Sequence, residues 1–566
     1  MSPIVGVLGK NWSAISVLFA VGLCINALQL TSSLYMLQVY DRVLSSRSEA
    51  TLAALTILAV ALVGVYAMLE ACRAMALIGL GSIFDRSISA DVFNCLFRSA
   101  TLQGSARIGA QPLRDLEQVR TFVTTAGLLT VLDIPWIPVF LFVLYLLHPT
   151  YAAFGLVSVV LILGITIVQA FLSTKRLRQA SNTNVQAYAF VEASLRNAEV
   201  SEAMGMRDGI WRRWQARHQA MLLQQRLASQ VAGTMSSAIK FLQSSLTGVL
   251  ILGVGAVLVI EQQITPGAMV VAGMLLGRAL APTMQIAGLW QQATGARSAH
   301  SRLCEFLSAS PPEHERMPLP APQGRLSVDA LTLGVPGKGA PILRGVTFSL
   351  SAGDLLAVIG PSAAGKSSLA RGILGLWPPL LGASRLDGAD LAHMPRDQVG
   401  RYIGYLPQDV ELFEGTIAEN IARLGEVDPE AVVHAASAAG LHELILHLPD
   451  GYDTELGPGG SGISPGQRQR VGLARALYGD PRLIVLDEPN SNLDNEGEAA
   501  LAKVLMHLKE RRITCVVVTH RASILAAVDQ ILILRAGQVE AFGRREDILP
   551  KLTRPAPVAS PAAANL

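Results

Sequence analysis

The chain has 566 residues, 51% of them hydrophobic and 16% charged, with a mean hydropathy of +0.40. Soluble domains carry about 25% charged residues, so a purely water-soluble protein is excluded and lipid is part of the solvent. The net charge of +3 gives no argument for nucleic acid as a partner, no RNA- or DNA-binding signature is present, and the length asks for at least two domains.

Six apolar stretches occupy the N-terminal half, near Trp12–Leu37, Thr51–Leu69, Phe122–Leu147, Tyr151–Leu172, Ser237–Ile260 and Pro266–Leu289. Each has about 20 residues or more, enough to cross roughly 30 Å of hydrocarbon as a helix. The first is too long for the apolar core of a cleavable signal and lacks a convincing cleavage site. Between the second and third lie Arg73, Arg86, Arg98, Arg107, Arg114 and Arg120; between the fourth and fifth lie Lys175, Arg176, Arg178, Arg196, Arg207, Arg212, Arg213 and Arg217. The connections His148-Pro149-Thr150 and Glu261-Gln262-Gln263 have no Lys or Arg, and the first, with Arg42 and Arg47, is mixed. Positive charge marks the cytoplasmic side, so both basic segments, the N-terminus and everything after the sixth helix are expected there. The basic segments read as helical extensions of the spans.

The membrane region is therefore placed at 1–307. A linker at 308–324 contains Pro311, Pro312, Pro318, Pro320 and Pro322, and 325–550 alternates short apolar strands with helices, as in a βαβ domain. The tail 551–566 is rich in Ala and Pro and reads as disordered. The five cysteines, Cys24, Cys72, Cys95, Cys304 and Cys515, have no metal-ligand spacing and read as packing residues.

The buried-strand pattern Leu355–Ile359 leads into Gly360-Pro361-Ser362-Ala363-Ala364-Gly365-Lys366-Ser367, which fits GxxxxGK[ST] at every fixed position, and Ser368 continues into a helical segment. Such a loop converges backbone N–H groups and a helix N-terminus on phosphate oxygens. Lys366 brings charge to the β- and γ-phosphates of ATP, and Ser367 offers a hydroxyl to Mg²⁺. The apolar run Leu483–Leu486 ends in Asp487-Glu488, where open α/β sheets place their ligands. Asp487 suits the Mg²⁺ shell as a hard oxygen donor, and Glu488 suits the polarisation of an attacking water.

Asp487-Glu488 resembles the Walker B motif of ATP-binding cassettes. Ile463-Ser464-Pro465-Gly466-Gln467, followed by Arg468-Gln469-Arg470, resembles the signature motif of that family. Ser491-Asn492-Leu493-Asp494 is similar to its D-loop, Gln408 to its Q-loop, and Thr519-His520-Arg521 to its H-loop. The resemblance covers most of Arg325–Leu549. It implies two cassettes clamped head to tail, each ATP lying between Gly360–Ser367 of one subunit and Ser464–Gln467 of the other, with Ser368, Gln408 and Asp494 as further ATP-binding residues. It also implies that His520 meets the γ-phosphate, and that Gln408 reports it and joins Ser367 and Asp487 around Mg²⁺. Lys366, Glu488 and His520 are the expected catalytic set. Pro465 stands where the family usually has Gly, removing one N–H donor. Ser464 as N-cap, Pro465 at N1 and Gln467 at N3 still make a capping box, so activity is expected to survive. The family's aromatic adenine platform is missing around Gly334-Val335-Pro336-Gly337, which leaves an apolar contact such as Val335 and loose nucleotide selectivity.

In the membrane half, Met36–Val43, Leu132-Asp133-Ile134-Pro135-Trp136 and Arg196–Val200 with Ala203–Met206 resemble type I secretion ABC exporters of the PrtD kind. This implies a six-helix membrane bundle fused to an α/β P-loop ATPase, working as a homodimer in the bacterial inner membrane. The expected cargo is a secreted, unfolded polypeptide with an uncleaved C-terminal signal. The expected partners are a periplasmic membrane-fusion adaptor, an outer-membrane channel of TolC type and membrane lipid. The first helix starts too early to leave room for the N-terminal peptidase-like domain of some relatives. Export of lipids or small hydrophobic molecules, and a regulatory cassette with little turnover, are the competing readings. The intact Lys366, Asp487, Glu488 and His520 speak against the latter. Asp133, inside an apolar span, is expected to line the path or pair with Lys240 or Arg278, or else to cap a helix broken by Pro135 and Pro138. Arg278 is expected to face a wet pathway or to lie near an interface, and Glu202–Gly209 to form a coupling helix.

Overall fold

The computed structural model describes residues 9–553 apart from 10–11, 104–108, 125, 196, 310–319, 336–339 and 492–494. The chain divides into two compact units, Met1–Ala100 with Gly104–Pro312, and Glu313–Leu566 with Thr101–Gln103.

The described residues of the first unit are helical, and among them six helical segments are long and apolar enough to cross a bilayer. Helix α1 (Trp12–Gln38) widens into a π-helical turn at Val39–Val43, and α2 (Glu49–Gln103) runs unbroken. The third span is assembled from α3 (Gln111–Thr124), α4 (Ala126–Asp133) and α5 (Ile137–Leu147), with a 3-10 turn at Ile134–Trp136 between the last two. Pro135 and Pro138 cannot donate to the helical ladder, so the expected break falls there. Then follow α6 (Pro149–Leu195), the short α7 (Ala198–Ala203), α8 (Arg207–Ser244), a second π-helical turn at Ser245–Leu250, α9 (Ile251–Ile260) and α10 (Pro266–Ser308). These helices outrun the apolar stretches, which carries the basic segments as helix rather than loop. Leu275, Leu276, Ala279 and Leu280 of α10 are buried against Phe140, Leu144, Tyr151 and Ile251. Ile57, Leu58, Val60 and Met68 of α2 are exposed, as lipid-facing side chains are. Beyond the apolar core, Arg302 of α10 grips Asp115 of α3 with Nε (2.9 Å) and Nη2 (2.6 Å), a two-pronged ion pair with directional strength.

Asp133 corrects one expectation. Its carboxylate receives Arg73 Nη1 of α2 and Asn26 Nδ2 of α1, each at 3.4 Å, instead of Lys240 or Arg278. Its side chain makes no cap to the 3-10 turn. Arg73 is buried and also holds Glu70 at 2.7 Å, while Arg278 donates to Gln29 (3.3 Å). The segment before the break packs on α10 as well, Thr130 Oγ1 donating to Gln285 Oε1 (3.2 Å), but Arg278 of that helix is taken up by Gln29 and Arg73 is the cation that reaches Asp133.

Among the described residues the second unit holds two main sheets and a small ribbon that pairs Gly415–Thr416 with Glu455–Leu456. The strands of the two main sheets are β1 (Leu326–Gly334), β2 (Pro341–Leu350), β3 (Leu355–Ile359), β4 (Leu381–Leu386), β5 (Ala389–Asp390), β6 (Ile403–Leu406), β7 (Leu483–Asp487), β8 (Thr514–Val518), β9 (Gln530–Arg535) and β10 (Gln538–Arg544). The antiparallel sheet has the order β2-β1-β4-β5 and the larger one β10-β9-β3-β8-β7-β6. In the larger sheet β9, β3, β8, β7 and β6 are parallel. Every residue of β3, β7 and β8 is buried, as expected for strands covered on both faces. The sequence-distant loops after β3, β8, β7 and β6 therefore emerge side by side at one edge.

Candidate active site

Four adjacent parallel strands end in the residues that the motifs single out. After β3, the loop Gly360–Gly365 runs into α11 (Lys366–Ile373). Gly365, its N-cap, has φ +99°, a left-handed conformation that favours glycine. The first N–H groups of α11 have no partners inside the helix, so they and the positive end of its dipole are directed at the loop. Lys366 Nζ donates to the carbonyls of Gly360 (2.8 Å) and Pro361 (3.3 Å), bracing the loop from within. Pro361, Ser362 and Ala363 are exposed, Ala364 is buried, and Lys366, Ser367 and Ser368 are half-buried.

Asp487, the last residue of β7, is buried at 1% exposure and accepts from Ser367 Oγ at 3.2 Å. Burial pushes its carboxyl above the ordinary value. The Ser367 hydrogen bond opposes that, the neighbouring Glu488 charge adds to it, and Arg371 and Lys366 pull it down. A hydroxyl and a buried carboxylate facing each other are hard oxygen donors in contact, which fits a small divalent cation such as Mg²⁺. Glu488 stands just past the strand end with φ +50°, and its N–H donates to Val518 O of β8 (3.0 Å). Gln408, two residues past β6, donates its Nε2 to Glu488 Oε2 (3.1 Å). His520 is exposed two residues past β8, the strand between β3 and β7. The structure thus gathers Lys366, Ser367, Gln408, Asp487, Glu488 and His520 at one sheet edge, including two direct contacts, Ser367–Asp487 and Gln408–Glu488.

Several short helices and the longer α12 (Pro429–Ala438) intervene before α13 (Pro465–Leu477), and the signature segment lies at the start of α13. Ser464 Oγ accepts from Gln467 N (3.2 Å), and Gln467 Oε1 accepts from Ser464 N (2.8 Å). Pro465 is the first helical residue, so the capping box forms despite the missing N–H. Ser464 is exposed and Gly466 half-buried. Among the described residues, Ser464 and Gln467 hydrogen-bond each other and not the phosphate loop. Asp494 lies outside the described residues, as do Pro336 and Gly337; Val335, just past β1, is half-buried.

Two side chains at the site were given no role of their own by the sequence: Gln469 was read only as part of the signature motif, and Tyr405 not at all. Gln469 of α13 is 2% exposed, and its Nε2 reaches Glu488 O (3.2 Å), Pro489 O (2.5 Å) and Ser491 Oγ (3.4 Å). Tyr405 of β6 has its phenol pushed up by burial and by the charge of Asp487. The burial rhythm of α13 carries a signal for Gln469, since it shares the inner face with Gly472, Leu473 and Ala476. A polar residue on that face needs a partner.

A phosphate loop, a carboxylate pair and a capped signature helix on this sheet, joined to six membrane-crossing helices, define an ABC transporter with an ATP-hydrolysing cassette. The ABC transporter family profile matches residues 343–491 and that of the ABC transporter transmembrane region matches 15–281. The chain is 42% identical to the type I secretion system ATP-binding protein PrsD of Rhizobium meliloti, covering 94% of this chain and 91% of that protein. It is 28% identical to the cyclolysin secretion/processing ATP-binding protein CyaB of Bordetella pertussis, over 95% and 76% of the two chains. It is also 28% identical to the alpha-hemolysin translocation ATP-binding protein HlyB of Escherichia coli O157:H7, over 93% and 75%. The fold matches that of a bacterial Atm1-family ABC exporter with ATP bound, with a TM-score of 0.81 at 22% identity over 96% and 97% of the two chains. The chain belongs to the type I secretion system ABC exporters: it is a membrane protein that binds ATP and couples its hydrolysis to transport.

Proposed function

We propose that this exporter drives unfolded polypeptides carrying an uncleaved C-terminal secretion signal across the bacterial inner membrane. The observation that carries the reading is 42% identity to a type I secretion protein along nearly the whole chain, membrane half included. The named relatives serve secretion or toxin translocation, which disfavours lipids or small hydrophobic molecules as cargo. The working unit is a homodimer with the cassettes in the cytoplasm. It docks a periplasmic adaptor and a TolC-type outer-membrane channel, and the Glu202–Gly209 stretch, which is not a helix of its own but the end of α7, a turn and the start of α8, serves as the coupling segment.

In the cassette, Gly360–Ser368 of one subunit and Ser464, Gly466, Gln467 and Asp494 of the other enclose ATP. Val335 offers an apolar contact to adenine. Ser367, Asp487 and Gln408 would hold Mg²⁺, which when bound would supply positive charge against the phosphates. Lys366 adds fixed positive charge, His520 meets the γ-phosphate and Glu488 polarises the attacking water. Rate enhancement by such a site is mainly positional and electrostatic.

The test is ATPase activity of the purified protein in lipid, titrated with a C-terminal fragment of a candidate repeat-rich secreted protein beside lipids and hydrophobic drugs. A saturable response to the fragment, lost on deleting its last residues, is expected. A response to lipids or drugs alone overturns the cargo assignment and leaves the motor intact. Glu488→Gln should lower turnover by orders of magnitude while ATP still binds, and unchanged turnover removes Glu488 from its role.

A further inference from the structure

The turn that presents Glu488 is held by one buried side chain from the signature helix. Glu488 occupies the left-handed region at φ +50°, which a non-glycine residue enters only at a cost and keeps only when its surroundings enforce it. Val518 O secures the Glu488 N–H on one side. On the other, Gln469 Nε2 is aimed at Glu488 O, Pro489 O and Ser491 Oγ, three oxygens within four consecutive residues. Two N–H groups shared among them make a clamp on the turn. A primary amide at 2% exposure is costly unless its hydrogen bonds are made, and an apolar side chain of the same length would fill the space without that demand. Gln469 lies in the first turns of α13, the helix whose N-terminus carries the Ser464–Gln467 capping box.

We infer that Gln469 is a positioning residue for Glu488, and that it is the link by which α13 couples the two ATP sites of the dimer. The inference rests on the reading of Glu488 as the water-polarising base and of the cassettes as head to tail. In that arrangement the signature end of α13 meets one nucleotide while Glu488 of the same chain serves the other. Movement of α13 on closure over the first ATP is passed through Gln469 to the turn at the second. Hydrolysis then responds to occupancy of both sites.

The experiment compares the full-length wild type, Gln469→Met, Gln469→Glu, Glu488→Gln and the double variant Gln469→Met/Glu488→Gln in lipid nanodiscs. Methionine keeps length and volume and removes both donors; glutamate puts a charged acceptor against the Glu488 carbonyl. The readouts are kcat, KM, the Hill coefficient for ATP, binding of a fluorescent ATP analogue, and the melting midpoint. Gln469→Met should lower kcat by about tenfold, the scale of one lost buried hydrogen bond, and bring the Hill coefficient to near one. Analogue affinity should stay at the wild-type value, while the melting midpoint falls by only a few degrees for the carbonyls left unpaired. Gln469→Glu should be at least as slow, and the double variant no slower than Glu488→Gln alone. Wild-type kcat and Hill coefficient in Gln469→Met overturn the inference. So does a parallel fall in analogue binding and melting midpoint, which marks a merely structural role, or a further independent rate loss in the double variant. Glu488→Gln turning over at the wild-type rate sinks the underlying reading, whereas a slow Glu488→Gln beside a fully active Gln469→Met sinks only this inference.

Discussion

Asp41 and Gly267 form a contact whose removal should reverse the sign of a second mutation. Asp41 lies in the π-helical turn after α1, and its carboxylate accepts from Thr265 Oγ1 (2.6 Å) and from the backbone N–H of Gly267 (3.0 Å). Thr265 is itself the N-cap of α10, accepting from Ala268 N (3.1 Å). A carboxylate with two such bonds at the positive end of a helix stabilises it, and Asp41→Ala should cost about 2–3 kcal/mol once partial exposure is discounted. A Cβ on Gly267 would sit 2.4 Å from Asp41 Oδ1 and 2.7 Å from its Cγ. Gly267→Ala therefore forces Asp41 aside and forfeits its bond to the helix, costing about 1–2 kcal/mol. With Asp41 already replaced by alanine the obstruction is gone. The helix preference of Ala over Gly then makes Gly267→Ala neutral or stabilising by about 0.5–1 kcal/mol. The two sites should thus show a coupling of about 1–3 kcal/mol. Thermal unfolding of the four proteins in one detergent ranks them. An equal penalty for Gly267→Ala in both backgrounds would refute the reasoning.

Ser464→Ala removes the N-cap of α13 and should cost the cassette about 1 kcal/mol, read as a lower melting midpoint of the full chain; an unchanged midpoint means the box contributes nothing. Asp487 is held above its ordinary carboxyl value by burial, so ionising it at neutral pH costs the nucleotide-free, Mg²⁺-free fold stability that the proton restores as pH falls through its raised pKa. Asp487→Asn should accordingly melt above wild type at neutral pH in chelator, the gap closing on acidification; a gap that widens reverses the assignment. Arg73→Met strands the carboxylates of Asp133 and Glu70 and should cost roughly 3–5 kcal/mol. Asp133→Asn should cost distinctly less, because Arg73 keeps Glu70, and SDS titration of the two variants orders them.

What was legible in the sequence was local or repetitive. Apolar runs long enough to cross lipid announce themselves one by one, and the phosphate loop needs only eight consecutive residues. The capping box was readable for the same reason, because Ser464, Pro465 and Gln467 occupy fixed positions in one helical turn. The parallel order of the strands was not written in any one segment. It is that order, β3-β8-β7-β6, that brings Gln408 to Glu488 across 80 residues and Ser367 to Asp487 across 120. Gln469 was harder still: it was read only as part of the signature motif, and its partners lie 19 to 22 residues away. Only its alignment with the buried face of α13 distinguishes it.

The membrane unit shows why charge partners are harder to read than spans. Hydropathy places Asp133 in an apolar stretch but carries no information on which helices are its neighbours, so Lys240 and Arg278 were as eligible as any cation. Arg73 was counted with the basic helical extension, because the apolar stretch before it closes at Leu69, and not as a partner for a group inside a span. The structure does carry that extension as helix, α2 running on to Gln103, with Arg73 on its first turn beyond the apolar stretch. A cation at such a position keeps its charge buried only if a carboxylate comes to it, and the broken third span supplies Asp133 at its break. With Glu70 also on Arg73, the group joins α2 to the third span, and Asn26 adds α1. Removing the cation leaves two carboxylates, whereas removing Asp133 leaves a satisfied pair. The asymmetry expected between Arg73→Met and Asp133→Asn follows from that count of charges alone.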